Sequence, residues 1–308
     1  LQWLALRELG ARGLGDFAIL SNGLIVTAAA LHTGWVGDSL VILDRHDPGI
    51  RRALWFVSGV SAVVSFLFGV VGSWIFTDLS LGAMLVFGGA LTAWLVEETG
   101  RRLLMARLEF GKLVVNDVVF GAVSCGISVT VAVLGRLTMT WIVGSMLIGA
   151  AASIIVVIVQ LPADELRPPT RGPMDLRRLT AFSAWRSGQL TMRPLGMLLS
   201  RVAVKAFVST TALGIMEAGR LIIAPVLTAA NGLGGFSLPF FTRKRDTGRL
   251  DLRIVVAFAT VSALGAAAFT PVAVLLTPTF ERLSNSGEVP TALVLAWCVY
   301  GAFYSANV

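Results

Sequence analysis

Apolar residues along this chain gather in long, nearly unbroken blocks, without the alternating or one-faced spacing of a water-soluble fold. Blocks at 17–43, 53–76, 79–96, 114–134, 138–160, 181–207, 211–240, 254–277 and 291–308 each offer roughly the 20 residues that a membrane-crossing helix needs. The pattern predicts nine full spans. Residues 1–6 are also apolar and run into a polar turn at 7–16, so they read as the end of a further span whose start lies before residue 1. The last block is likewise expected to continue past residue 308. A secretory signal does not fit the start, because no basic stretch precedes an apolar core and a small-residue cleavage site.

Composition agrees. Of 308 residues, 56% are hydrophobic and 14% charged, and the mean hydropathy is +0.80, whereas a soluble domain carries about a quarter charged residues. Cys125 and Cys298 lie far apart in apolar blocks and supply neither a disulfide framework nor metal-ligand spacing. The net charge is +7, and its placement matters more than its sum, because Lys and Arg collect in cytoplasmic loops. Sixteen basic residues fall in one alternating set of loops, around Arg45, Arg101, Arg167 and Lys244, and four (Arg7, Arg12, Arg136, Arg282) in the other. The basic loops are therefore expected on the cytoplasmic side.

The only long connection, 161–180, contains Pro162, Pro168, Pro169, Gly172 and Pro173, which deny it regular structure. It divides the chain into an N-terminal bundle at 1–160 and a C-terminal bundle at 181–308. A shift of 199 residues carries Leu14-Gly15 onto Leu213-Gly214 and the 53–76 span onto 252–275. An all-α membrane protein of two parallel-repeat six-helix bundles is expected, its twelve-helix core represented by about nine full spans and part of a first.

Much chemistry is excluded. Lys112, Lys205 and Lys244 are the only lysines, and none follows a Gly-rich phosphate loop, so no nucleotide cofactor is expected. Two histidines, His32 and His46, cannot form a zincin motif; His32 reads as a bundle-packing residue rather than a metal ligand. Glycine pairs such as Gly88-Gly89 and Gly234-Gly235 suit close helix packing. No catalytic residue or nucleic-acid partner is expected.

Charges inside the spans are the informative residues. The 181–207 block carries Arg186, Arg193, Arg201 and Lys205, although a central Arg costs about 2.5–3.5 kcal/mol even on lenient insertion scales. Arg186 and Lys205 lie near enough to the ends to snorkel toward water. Arg193, followed by the kink-permitting Pro194, and Arg201 face one side of the helix. They serve either a hydrated cavity or buried pairing. Glu217 shares the depth of Arg201 and is its expected counter-ion, while Arg220 and Asn231 extend the polar face of the next span. Because guanidinium binds phosphate bidentately and does not titrate, Arg193, Arg201 and Arg220, with Glu217 and Asn231, are the expected substrate-binding set for an anion.

Asp38, Glu97, Glu98 and Asp117 fall near the cytoplasmic, basic ends of spans, where solvent or Arg101 and Arg102 can satisfy them. Residues 99–113 intersperse basic and apolar positions, which suits either an amphipathic segment on anionic membrane lipids or an extension of the neighbouring helix.

The stretch Leu9-Gly10 through Gly13-Leu14-Gly15-Asp16-Phe17-Ala18, the run from Glu97-Glu98-Thr99-Gly100-Arg101-Arg102 to Arg107, and Gly219-Arg220-Leu221 running to Leu238-Pro239 resemble polysaccharide biosynthesis membrane proteins. These are the oligosaccharide-lipid flippases of the multidrug, oligosaccharidyl-lipid and polysaccharide exporter superfamily. The resemblance implies two six-helix bundles and an alternating-access cavity in a bacterial inner membrane. It also implies an undecaprenyl-diphosphate-linked glycan as cargo, with glycosyltransferases or a polymerase as partners. Two other readings remain open: a cation-coupled drug or metabolite exporter of the same fold, and a non-transporting membrane scaffold.

Overall fold

Leucine, valine, isoleucine and alanine in runs this long have no apolar face to hide from lipid, and a helix satisfies their backbone groups within one segment. Every regular element among the described residues is a helix. The computed structural model describes residues 1–43, 47–167, 173–246, 252–284 and 289–307. Side chains are described for these except 231–246, 252, 254, 283, 284, 306 and 307. Arg45, His46, the linker from Pro168 to Gly172, Arg249 and the side chains of Asn231, Pro239 and Arg243 to Arg245 thus lie outside the described residues. So does the packing of the Gly234-Gly235 pair.

In chain order the helices are α1 (residues 2–9), α2 (residues 11–42), α3 (Pro48–Phe76), α4 (Leu81–Ala106), α5 (Phe110–Val133), α6 (Met139–Gln160), α7 (Leu176–Phe207), α8 (Thr210–Asp246), α9 (Leu252–Ala268), α10 (Thr270–Ser284) and α11 (Thr291–Asn307). The helical run Gln2–Ala18 breaks at Gly10, whose φ of 69° and ψ of −172° suit glycine alone. The chain doubles back there. Gln2 and Asn22 would stand about 30 Å apart on an unbroken helix, yet they are hydrogen bonded at 3.0 Å. Residues 1–9 therefore form a separate helix, as expected, but the turn is one glycine and not the polar stretch 7–16. That stretch is helical on both sides, and its charges find partners: Arg12 meets Asp78 at 3.3 Å at the surface and Asp16 meets Lys205 at 3.1 Å.

Seven helical stretches among the described residues are long and apolar enough to cross a membrane, ending with Thr210–Ala230 and Val255–Arg282. Two of the nine expected spans fall short of that standard. α7 has the length but is not apolar enough, and the apolar part of α11, Thr291–Ser305, is short. The expected span 254–277 becomes two helices broken at Phe269, two residues before Pro271, which lacks a backbone donor and disfavours helical geometry in the residue preceding it. Pro194, by contrast, lies within the continuous helix α7.

Lipid offers no hydrophobic drive between helices, so small residues that allow close approach set the contacts. A Cβ on Gly69 of α3 would lie 2.9 Å from the Gly88 backbone of α4, which accounts for Gly88, whereas a Cβ on Gly89 would make only ordinary contact with Leu147. α4 packs between α3 and α6, and α6 packs on α5. Gly15 on α2 and Gly214 on α8, the two positions matched by the 199-residue shift, meet directly: a Cβ on Gly214 would overlap the Ala11 carbonyl. Residues 99–106 are the last turns of α4, and the chain turns at 107–109 with Leu108 at φ 60°. The helix-extension reading of that segment holds, and no separate surface helix forms there.

α7 lies along α2 for most of its length. Arg186 binds Asp38 at 2.6 Å, Ser183 meets Ser39 at 3.0 Å, and Lys205 reaches Asp16 and the Phe76 carbonyl at 3.1 and 2.8 Å. Arg186 and Lys205 were expected to snorkel. Both also form ion pairs, since α2 presents a carboxylate at each matching depth.

Candidate functional site

The charges on α7 and α8 converge on Glu217. Its side chain is 1% exposed and that of Arg201 is 3% exposed, with Arg201 Nε donating to Oε1 at 2.8 Å. Oε2 accepts from Arg220 Nε at 2.5 Å and from Asn22 Nδ2 at 3.3 Å. Arg220 Nη2 donates to Gln2 Oε1 at 2.8 Å, and Gln2 Nε2 donates to Asn22 Oδ1 at 3.0 Å. A closed ring of Glu217, Arg220, Gln2 and Asn22 results, joining α1 and α2 to α8, with α7 attached through Arg201. Arg201 Nη1 also donates to the Met197 carbonyl at 3.1 Å.

Local structure makes the ring reachable. The Gly10 turn returns Gln2 to the depth of Asn22, and the Gly15–Gly214 contact brings the backbones together so that short amides can bridge them. Asn22 itself lies in a π-helical segment, Ile19–Ile25, where the widened turn takes it out of α-helical register. Two guanidiniums against one carboxylate leave the cluster with a formal excess of one positive charge.

Arg193 stands apart from the cluster. It lies eight residues before Arg201, about 12 Å along α7. Its guanidinium sits 4.4 Å from the centre of the Tyr304 ring, a cation–π arrangement. Tyr304 stacks on Tyr300 at 5.9 Å, and Trp297 meets Tyr300 edge-on at 5.4 Å. Trp297 Nε1 anchors this ladder to α8 by donating to the Met216 carbonyl at 2.9 Å. These are the chain's only two tyrosines. Arg193 is exposed and forms no ion pair among the described residues.

The expected set is thus divided. Glu217, Arg201 and Arg220 come together, Arg193 faces α11, and the Asn231 side chain is outside the described residues. A single wet hollow lined by all three arginines is not what the described residues form. Arg201 is sealed at 2% exposure, with Glu217 and the Met197 carbonyl accepting from it. Buried pairing, one of the two readings of Arg201, describes its geometry in this conformation.

Glu97, Glu98 and Asp117 find their partners within the first half. Glu98 binds Arg101 at 2.6 Å and Arg102 at 2.8 Å, and Asp117 binds Arg101 at 2.8 Å. Glu97 is buried rather than solvated, accepting from Asn116 at 2.6 Å and Ser153 at 3.2 Å. His32 is 3% exposed, with both ring nitrogens at 2.9 Å from hydroxyls, those of Ser61 and Thr99. That is the bundle-packing role expected for it. Among the described residues, no group of three or more His, Cys, Asp or Glu could hold a metal ion.

Neither a protein-family model nor a curated protein sequence matches the chain. One solved structure does, described as the inward-facing conformation of a multidrug resistance MATE family transporter of the MOP superfamily. The TM-score is 0.66 at 14% identity, over 99% of this chain and 80% of that one. The chain shares that polytopic membrane fold. At this identity the likeness speaks for architecture alone.

Sequence reasoning missed Gln2, Asn22, Tyr300 and Tyr304. Asn22 carried a signal, as an amide inside an apolar span. The tyrosines carried another, being the only two and four residues apart on one helix face. Gln2 carried none, because its role depends on the turn at Gly10.

Proposed function

We propose that the protein is a membrane transporter that moves a lipid-linked oligosaccharide with an anionic phosphate head group between leaflets by alternating access. The observation that carries this reading is Arg193. It is an exposed guanidinium near the middle of α7, outside any described ion pair and resting on an aromatic ladder. Such a group attracts phosphate and offers it paired donors, and it repels a cationic drug. Arg201, Arg220 and Glu217 act in this proposal as a latch across α1, α2, α7 and α8, and opening the latch would release two further guanidiniums toward the cargo.

Bundles at 1–160 and 181–308, joined by 161–180, would rock about the Gly15–Gly214 contact, and the meeting of those two matched glycines supports the repeat reading. The basic loops would face the cytoplasm of a bacterium. Glycosyltransferases or a polymerase of the same pathway would supply or consume the cargo, with an ion gradient or product removal driving the cycle.

The neighbour's description favours a second reading, a cation-coupled drug exporter of the same fold. Both are separated by reconstituting the full protein in liposomes with a fluorescent polyprenyl-diphosphate oligosaccharide in one leaflet and, separately, with ethidium under a proton or sodium gradient. We expect head-group translocation without ethidium transport. Arg193→Ala should slow translocation about tenfold or more, from the loss of a charged hydrogen bond of about 1.5–3 kcal/mol, with partial rescue by Arg193→Lys. Gradient-driven ethidium transport without lipid translocation would replace this proposal with the drug-exporter reading.

A further inference from the structure

Helices α3, α4 and α6 leave a cleft of about 480 Å³ at the end of the molecule that carries Arg51 and Arg101, within the size range of small-molecule sites. Its lining residues fall between positions 32 and 166, so it lies apart from the Glu217 cluster and from Arg193. Leu54, Trp55 and Ala62 of α3, Val96 of α4, and Ile154 and Ile158 of α6 form its walls. Along α3 it runs from Arg51 to Ala62, about 16 Å at the helical rise. That is close to the depth of one leaflet, half of a hydrocarbon core about 30 Å thick.

His32, Thr99, Glu97 and Glu165 beside the cleft are already engaged, which leaves the Ser58 hydroxyl as the one small polar group on its shaft among the described lining residues. Both nitrogens of His32 meet hydroxyls, Glu97 accepts from Asn116 and Ser153, and Glu165 faces Arg107 at 3.6 Å. What remains for a ligand is otherwise hydrocarbon along the shaft and cationic at the mouth. There Arg51 lines the opening, one of its nitrogens donating to the Arg167 carbonyl at 2.7 Å. The long side opens outward: Trp55 is 41%, Val96 44% and Ile158 51% exposed. Gly59 also lines the cleft, and a Cβ there would meet nothing within 4 Å.

We propose that this cleft holds one acyl chain of an anionic phospholipid, with the lipid phosphate at Arg51. The depth matches a chain standing in one leaflet, and the charge at the mouth matches its head group. The inference does not depend on what the protein transports.

Titration of the full detergent-solubilised protein with phosphatidylglycerol brominated on its acyl chains tests it. Quenching of Trp55 is read as the difference between the protein and its Trp55→Phe variant. We expect saturable quenching at one lipid per protein. Gly59→Leu, or Ala62→Leu if the first variant fails to fold, should abolish it with the melting temperature unchanged. Arg51→Gln should weaken phosphatidylglycerol about fivefold, the effect of one cation at a membrane surface, and leave brominated phosphatidylcholine unaffected. Undiminished quenching in both filling variants, or quenching that rises linearly with lipid, overturns the proposal. Equal affinity for the two head groups overturns the anionic assignment. Displacement by a polyprenyl phosphate at lower concentration than by unlabelled phosphatidylglycerol assigns the cleft to a carrier lipid and overturns the phospholipid reading.

Discussion

Replacing Glu217 with leucine should cost more than replacing Arg201, although the two form one ion pair. Glu217 accepts from three donors, on Arg201, Arg220 and Asn22. Removing it strands two guanidiniums in a site where the pair is 3% and 1% exposed. Breaking a buried pair from one side costs about 3–5 kcal/mol. Arg201→Leu leaves Glu217 still bound by Arg220 and Asn22, so its cost is nearer the 1–3 kcal/mol of a buried group losing one partner, roughly. At about 2 °C per kcal/mol for a chain of this size, Glu217→Leu should lower the melting temperature by about 6–10 °C. The double variant should recover part of that, because two leucines leave one guanidinium in place of two. Cys298 is a built-in reporter: it is buried at 5% exposure and free, so a thiol-reactive dye reads unfolding once the exposed Cys125 is changed to serine. A double variant no more stable than Glu217→Leu, or a Glu217→Leu loss below about 1 kcal/mol, would refute the reasoning that the pair is sealed and its partners interdependent.

Gly214→Ala should lower stability, because its Cβ would overlap the Ala11 carbonyl, whereas Gly126→Ala, which meets nothing within 4 Å, should match or exceed the parent protein in the same thermal assay. Cysteines at Ser39 and Ser183, whose hydroxyls lie 3.0 Å apart, should form a disulfide under mild oxidation and, under the proposed alternating-access function, arrest the proposed translocation until reduced; undiminished translocation by the oxidised protein would show that α2 and α7 need not separate. Glu109, in the α4–α5 turn, has its carboxyl held below the ordinary 4.5, first by the hydrogen bond from Lys112 and also by Arg107, against some desolvation. A depressed value means that the turn's ion pairing is complete above the ordinary range and is lost as pH falls through the lower folded value. Carbon NMR of the Glu109 carboxyl should show a midpoint under 4.5, and Lys112→Ala should move it upward.

The membrane helices were legible because bilayer thickness translates directly into length of apolar sequence, and most observed helices overlap their expected blocks. Their ends were less so: α4 runs to Ala106 and α7 starts at Leu176, since charged final turns still hydrogen bond as helix. The pairing of Arg201 with Glu217 was legible from depth alone. The ring around them was not, because Gln2 and Asn22 become neighbours only through one left-handed glycine. Nor was the sealing of Arg201 legible: the same guanidinium reads as a wet cavity group or a dry partner until the helix contacts are known. Arg193 and Tyr304 are 111 residues apart in sequence, and no periodicity connects them.

The contact between Gly15 and Gly214 has a mechanical corollary. From that contact to the Asp38–Arg186 bridge is 23 residues of α2, a lever of about 35 Å. A tilt of ten degrees or so about the glycines would swing its far tip by about 6 Å on that same rise, more than twice the 2.6 Å bridge it must break. The fulcrum would barely shift, so the serine seam between α2 and α7 would part early and the Asp16–Lys205 bridge beside the glycines last.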